Sequence, residues 1–232
     1  MPEGQILCMT DVAFRWPGKS SFALKVPGFA MSRRETVMIV GDSGSGKSTL
    51  LSLICGTLRA DSGTIEVAGA ELGALSAAGR DRFRADRIGV IFQQFNLLPY
   101  ASVRDNIVLP LMFSAERRKR AGDMEAEVLR LCRAMGLDDA IVASPAGRLS
   151  VGQQQRVAVA RALIGQPDLV VADEPTSALD QKAQAGFLDL LFAQMHAAGS
   201  SLLLVSHDER LGRQFDRVER IETIARSERI AA

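Results

Sequence analysis

The sequence predicts an α/β protein: a core of buried parallel strands and crossover helices, with an N-terminal antiparallel β subdomain and an inserted α-helical subdomain. Three observations predict it. The apolar runs "TVMIV" (Thr36–Val40), "DLVVAD" (Asp168–Asp173) and "LLLVSH" (Leu202–His207) suit strands buried on both faces. Between the last two, Phe187, Leu191 and Met195 recur at four-residue spacing with Leu188 and Phe192 beside them, as on a helix packed against such a sheet. The middle of the chain, from about Asn96 to Arg148, has no buried-strand run and much helix-forming sequence.

The elements follow in chain order. "QILCMTDVAF" and "SFALKVPGFAM" flank a "WPGKS" turn, and "GTIEVAG" (Gly63–Gly69) adds a further strand. These stretches read as a small, mainly antiparallel sheet. Val128, Leu131 and Met135, with Leu129 and Cys132, form an apolar helix face in the middle region. "LLFAQMHAAGSSLLLVSH" reads as a helix end, a glycine stop and a buried strand rather than a membrane span, because Gln194, His196 and Gly199–Ser201 interrupt it. His196 is expected to be a surface or packing residue. The whole chain, 1–232, is expected to be one domain with its helical subdomain at about 96–165.

Totals narrow the function. With 47% hydrophobic residues the chain can bury a core, and a formal net charge of +1 argues against a strongly electrostatic nucleic-acid binder. Asp208 to Arg229 interleaves acids and bases, as a solvated, ion-paired surface does. Cys8, Cys55 and Cys132 fit no metal-ligand spacing and read as reduced, mostly buried thiols. Because Cys55 follows the glycine loop closely, its alkylation is a candidate route to hindering nucleotide binding. "MPEGQILCMTD" has no basic start followed by an apolar run, so no signal peptide is expected.

The chemistry starts at "GDSGSGKST", residues 41–49, which fits G-x-x-x-x-G-K-[ST]. Gly41, Asp42, Ser43, Gly44, Ser45 and Gly46 can wrap a polyphosphate with backbone N–H groups pointing inward. Lys47 can reach the β- and γ-phosphates, Ser48 can give its hydroxyl to magnesium, and Thr49 continues into a helix whose positive end faces the anion. A buried strand before the loop and a helix after it are the context of a P-loop NTPase core. Asp173 and Glu174 end another buried strand. Asp173 can hold Mg2+ and Glu174 can deprotonate an attacking water. His207 ends a third strand and can position that water. Gln93, after "VIF", can ligate magnesium through its carbonyl or cap a loop. Trp16 can pack in the core or stack on an adenine face.

"RLSVGQQQRVAVARAL" opens on a second helix start suited to an anion. Ser150 is a good N-cap, and Val157, Ala160 and Ile164 follow at helical spacing. One chain has one phosphate loop, so this start can serve a second copy placed head to tail. Together these motifs make the sequence resemble an ATP-binding-cassette ATPase over nearly its whole length. In that family "LSVGQQQR", with Ser150, Val151, Gly152 and Gln153, corresponds to the signature motif acting on the partner's ATP. "GDSGSGKST", "LVVADEP", Gln93 and His207 correspond to its Walker A, Walker B, Q-loop and H-loop positions. Ser177 and Asp180 of "SALD" resemble the D-loop at the dimer seam, and Trp16 the adenine-stacking aromatic. Val151 departs from the usual two glycines, although valine tolerates helical dihedrals at a first helical position.

"IGVIFQQFNLLPYASVRDNIVLPLMF" and "VADEPTSALD" are similar to the bacterial lipoprotein-release, macrolide-export and cell-division branch. That resemblance implies an ATPase using ATP and Mg2+, dimerising with a second ATPase subunit. It implies integral membrane permease subunits with periplasmic domains as partners, and a peripheral position at the cytoplasmic face of the inner membrane. An ATP-dependent mechanical regulator of cell-wall enzymes is the alternative, followed by a soluble DNA-associated ATPase. No nucleic acid is expected as a partner.

Overall fold

The computed structural model describes residues 4–17, 21–177 and 179–230. The last three residues of the "WPGKS" turn and Ala178 of "SALD" lie outside the described residues. In chain order the elements begin with β1 (Gln5–Arg15), β2 (Ser21–Ser32), β3 (Thr36–Val40), α1 (Lys47–Ile54), β4 (Ser62–Val67), β5 (Ala70–Glu71), α2 (Ala77–Arg87) and β6 (Ile88–Ile91). They continue with α3 (Val103–Phe113), α4 (Ala115–Ala121), α5 (Met124–Ala134), α6 (Val151–Leu163), β7 (Leu169–Asp173), α7 (Gln181–Ala198), β8 (Ser201–Ser206), β9 (Arg217–Arg220), α8 (Ile221–Ile224) and β10 (Arg226–Ile230). They group into two compact units. One runs up to Arg84 and resumes at Ser201; the other is Ala85–Ser200.

The first unit carries two sheets. One is antiparallel, in the order β10-β2-β1-β4-β5. Its β1–β2 ladder passes from Thr10↔Gly28 to Val12↔Val26 without pairing Asp11 and Pro27. Proline has no N–H to give there, and Asp11 sits at φ 49. In the other sheet β3 lies between β8 and β9, all parallel. Residues Val37–Ile39 of β3 and Leu202–Val205 of β8 are fully buried, as expected of strands covered on both faces. The charged stretch from Asp208 to Arg229 holds β9 and β10, which the sequence pattern did not reveal. Both are terminal strands in their sheets, where charged side chains are tolerated because one flank is open to water. Arg217 of β9 donates to Glu35 at 2.7 Å.

In the second unit β6 and β7 pair in parallel, and α6 packs against α3, α5, α7 and β6. Val128, Leu131, Cys132 and Met135 are buried, so the predicted apolar face of α5 is the one turned inward. On α7, Phe187, Leu188, Leu191 and Met195 are buried, and the helix stops at Gly199, in the left-handed conformation (φ 64). His196 is exposed. Pro110 lies inside α3 and removes the hydrogen bond that the carbonyl of Asn106 would otherwise accept. The Asn106 side chain, fully buried, ties the preceding loop instead: Oδ1 accepts from Leu98 N at 2.8 Å and Nδ2 donates to Leu98 O at 3.0 Å.

Two of the three thiols are buried. Burial pushes Cys55 up to about 12 and Cys132 up to about 11, so neither forms a thiolate near neutrality. Iodoacetamide is therefore expected to label the half-buried Cys8 first in the folded protein, with Cys55 reacting only on unfolding. Mass spectrometry of a labelling time course checks this; early labelling of Cys55 would reopen it as a handle on the neighbouring loop.

Candidate functional site

The first unit positions the phosphate loop. β3 delivers the chain to Gly41, and α1 starts at Lys47 after Gly46, which is its N-cap at φ 106. A Cβ at Gly46 would lie 2.9 Å from Leu24 Cδ1, and one at Gly41 would lie 2.3 Å from Ile221 Cγ2. Both glycines are thus required by their own surroundings, one also by its backbone angle. Lys47 is 6% exposed, and its ammonium donates to Gly41 O at 2.6 Å and Asp42 O at 2.8 Å. Ser45 N and Oγ donate to the same Asp42 carbonyl, at 3.2 and 2.8 Å. These bonds close the loop on itself and leave Asp42, Ser43, Gly44 and Ser48 exposed.

Register sets the neighbours of this loop. Val40 is opposite Ser206 in the parallel β3–β8 pair, so Gly41 and His207 leave the sheet at the same edge. His207 is exposed. Beside it Asp208 is held below the ordinary carboxylate range, chiefly by hydrogen bonds from Arg210, whose Nη2 donates at 2.6 Å. Trp16 is 42% exposed, which removes it from the core. Its ring stands edge-on to Phe14 (5.4 Å, 87°), and its Nε1–H donates to Thr49 Oγ1 at 3.3 Å. An indole fixed by its edge next to the phosphate-loop helix offers a stacking face. Trp16→Ala is expected to weaken ATP binding at least fivefold, given about 1–3 kcal/mol for a base stacked on an aromatic ring. Turnover at saturating ATP should change little. Titration calorimetry and phosphate release separate the two effects, and unaltered affinity would return Trp16 to a packing role.

The second unit repeats the arrangement. Ile91 is opposite Ala172 in the parallel β6–β7 pair, so the chain carrying Gln93 and the chain carrying Asp173 and Glu174 leave at one edge. Gln93 and Gln94 are exposed; Asp173 and Glu174 are half-buried. Glu174 has φ 44, a left-handed conformation that few non-glycine residues adopt, and it turns the chain sharply out of β7. Ser177 N donates to Glu174 O at 3.2 Å, and Asp180 caps α7, its carboxylate accepting from Ala183 N at 2.9 Å.

Ser150 is the N-cap of α6 in a reciprocal capping box. Its Oγ accepts from Gln153 N at 3.3 Å, and Gln153 Oε1 accepts from Ser150 N at 3.0 Å. Val151 and Gly152 occupy the first two helical positions, whose N–H groups have no partner within the helix. Val151 is 52% exposed, and a Cβ added at Gly152 would meet nothing within 4 Å. Val151→Gly is expected to change ATPase activity less than about tenfold, because the helix start already takes valine without a left-handed angle. A larger gain would identify the valine as a brake.

Three positions carry contacts that motif reading did not single out. Gln155 of α6, 1% exposed, donates from Nε2 to Pro175 O at 2.6 Å, next to Glu174. Arg161, in the last turn of α6, donates to Asn96 O at 2.7 Å and Phe95 O at 2.5 Å. Arg117 of α4, 2% exposed, donates to Ile164 O at 2.8 Å and Ala162 O at 2.7 Å, and burial pulls its guanidinium down to about 10. The acceptors are main-chain carbonyls, which no residue pattern marks.

Comparison with known proteins bears on these parts. A family model described as ABC transporter matches residues 24–177. The lipoprotein-releasing system ATP-binding protein LolD 1 of Caulobacter vibrioides is 41% identical over 191 residues, covering 80% of this chain and 78% of that protein. The macrolide export ATP-binding/permease protein MacB 1 of Aeromonas hydrophila is 41% identical over 84% of this chain, which spans 29% of that longer protein. Among solved structures, the dimeric post-hydrolysis state of the ATP-binding cassette MJ0796 bound to ADP and Pi aligns with TM-score 0.81 and 30% identity, covering 96% of this chain and 98% of that one.

Proposed function

We propose, from the premise that the chain belongs to the ABC transporter family and is an ATP-hydrolysing subunit, that two copies work head to tail to drive a separate membrane permease. The observation that carries the head-to-tail reading is Gly152. Glycine disfavours a helix by about 1 kcal/mol relative to alanine. Nothing in its own chain needs the missing side chain, since a Cβ there is unobstructed. The opening therefore serves something outside the chain, and the N–H groups beside it, which have no partner within the helix, suit a neighbour's γ-phosphate. Ser150 and Gln153 are engaged with each other in the capping box that closes this helix start. The dimeric form of the MJ0796 cassette supports the same reading.

Within each copy the roles follow from side-chain chemistry. The loop from Gly41 to Thr49 holds the β- and γ-phosphates through backbone N–H groups and Lys47, and Trp16 stacks on the adenine. Ser48, Gln93 and Asp173 offer a hydroxyl, an amide carbonyl and a carboxylate, hard oxygen donors that fit Mg2+ with substrate phosphates completing the shell. When bound, that ion neutralises charge on the transferred phosphoryl group. Glu174 takes the proton of the attacking water and His207 orients it toward phosphorus. Ser177 and Asp180 lie at the seam between copies.

The partner surface is assigned to the helical region, about 96–165. Tyr100 is 79% exposed, and Met112 and Phe113 at the end of α3 are 69% and 71% exposed. Apolar side chains this open, in one loop-helix segment, suit a docked amphipathic helix. Among the described residues no helix is long and apolar enough to cross a membrane. The proposed position is peripheral, at the cytoplasmic face of the inner membrane, and the proposed partners are permease subunits bearing periplasmic domains. Co-purification from solubilised membranes with the Glu174→Gln protein, followed by mass spectrometry, is expected to recover such a subunit. Recovery of a membrane partner tied only to cell-wall enzymes would favour the mechanical-regulator alternative; recovery only with DNA would overturn the transport reading.

A further inference from the structure

Beyond β6 the chain passes the exposed Phe92, Gln93 and Gln94 and then takes two consecutive left-handed residues, Phe95 (φ 58) and Asn96 (φ 48). Left-handed backbone is disfavoured by about 1–2 kcal/mol for a residue with a side chain, less for asparagine. A pair of them persists only where the surroundings over-determine it. The turn's own amides close locally, Phe95 N on Phe92 O at 3.0 Å and Asn96 N on Gln94 O at 2.6 Å, and the two carbonyls are taken by a single side chain. Arg161 is 6% exposed, and its two terminal nitrogens donate one to each of the two carbonyls, Asn96 O at 2.7 Å and Phe95 O at 2.5 Å. Among the described residues it makes no ion pair, so the two carbonyls are what offset the burial of its charge. The same loop is pinned a second time where Asn106 holds both backbone groups of Leu98.

We infer that Arg161 is a positioning residue for the ATPase reaction. Its guanidinium locks the Phe95–Asn96 turn and so presents Gln93 from a rigid exit. It also makes the Gln93 loop and the α6 helix, which begins at Ser150, one mechanical piece. Gln155 ties the same helix to the segment after Glu174. A motion of the 96–113 region is thereby carried to the helix start offered to the neighbouring copy. Lysine keeps the charge but loses the planar fork whose two terminal nitrogens each take one carbonyl, so the fixed geometry of the link is lost. The inference rests on the role given to Gln93 above.

The test uses the full chain. In the unsubstituted protein the Phe95 and Leu98 amides should exchange with deuterium at the slow rate of the C-terminal half of α6; exchange at the rate of exposed loops overturns the inference whatever the variants do. Arg161→Lys is expected to speed exchange at those amides about tenfold or more while α7 amides keep their protection. It should lower kcat about fivefold or more with KM for ATP within about twofold, the signature of lost positioning rather than lost binding. Arg117→Lys, which loosens the far end of α6 without touching the loop, should lower thermal stability and leave kcat of the folded protein near normal. Combining Arg161→Lys with Gln93→Ala should lower kcat no further than Gln93→Ala alone, within about twofold. Unchanged kcat and exchange in Arg161→Lys, or full additivity with Gln93→Ala, would overturn the inference. Normal turnover in Gln93→Ala alone would instead remove Gln93, leaving Arg161 to be judged by the exchange rates and its own kcat.

Discussion

Glu174→Gln is expected to slow ATP hydrolysis by about 10²–10⁴-fold, the usual contribution of a positioned general base, while ATP still binds. The amide keeps the shape and hydrogen-bonding reach of the carboxylate but cannot accept the water's proton. Backbone geometry makes the position demanding. Glu174 is held at φ 44 directly after β7, and the turn that follows is secured by Ser177 N on its carbonyl at 3.2 Å and Gln155 on Pro175 O at 2.6 Å. The substitution removes the proton acceptor and leaves that scaffold intact. Single-turnover phosphate release measures the rate, and size-exclusion chromatography with ATP should show a dimer that persists because its nucleotide is not consumed. Near-normal turnover would remove Glu174 as the base.

Lys47→Ala is expected to abolish measurable hydrolysis and to weaken ATP binding roughly tenfold to 150-fold, the loss of one charged hydrogen-bond donor at about 1.5–3 kcal/mol. The lysine has two tasks. Its ammonium draws Gly41 O and Asp42 O together at 2.6 and 2.8 Å, which curves the loop, and in the proposed mechanism the same cation meets the phosphates. Because the side chain is 6% exposed, alanine also leaves those carbonyls less well paired, so a modest fall in thermal midpoint should accompany the loss. Calorimetry with ATP and a melting curve distinguish the two contributions. Full turnover would refute the assignment of the loop.

Much of this was legible beforehand for a local reason. Residues buried on both faces of a strand must be apolar one after another, so β3, β7 and β8 announced themselves. A loop that wraps phosphates needs glycine and lysine at fixed spacing, and a helix start needs a cap, so residues 41–49 and Ser150 stood out as well. Trp16 could be read two ways; its 42% exposure removes it from the core, and the stacking role is the proposal that the ATP-binding measurement tests. β9 and β10 stayed hidden because terminal strands can carry charges, and their alternation of acid and base looks like any wet surface.

The sequence by itself determined the family of this protein, the order of its motifs and the strand ends that present them, because each depends on residues within a few positions of one another. Only the tertiary structure decided what joins those motifs. Arg161 reads as an ordinary helix arginine in "VARAL", yet its partners are carbonyls 65 and 66 residues earlier, in a left-handed turn. Gln155, whose acceptor is the carbonyl of Pro175, is alike in this respect. Every residue owns a carbonyl, so the identity of an acceptor leaves no mark in the sequence; which one a buried side chain meets is settled only when the chain has folded around it.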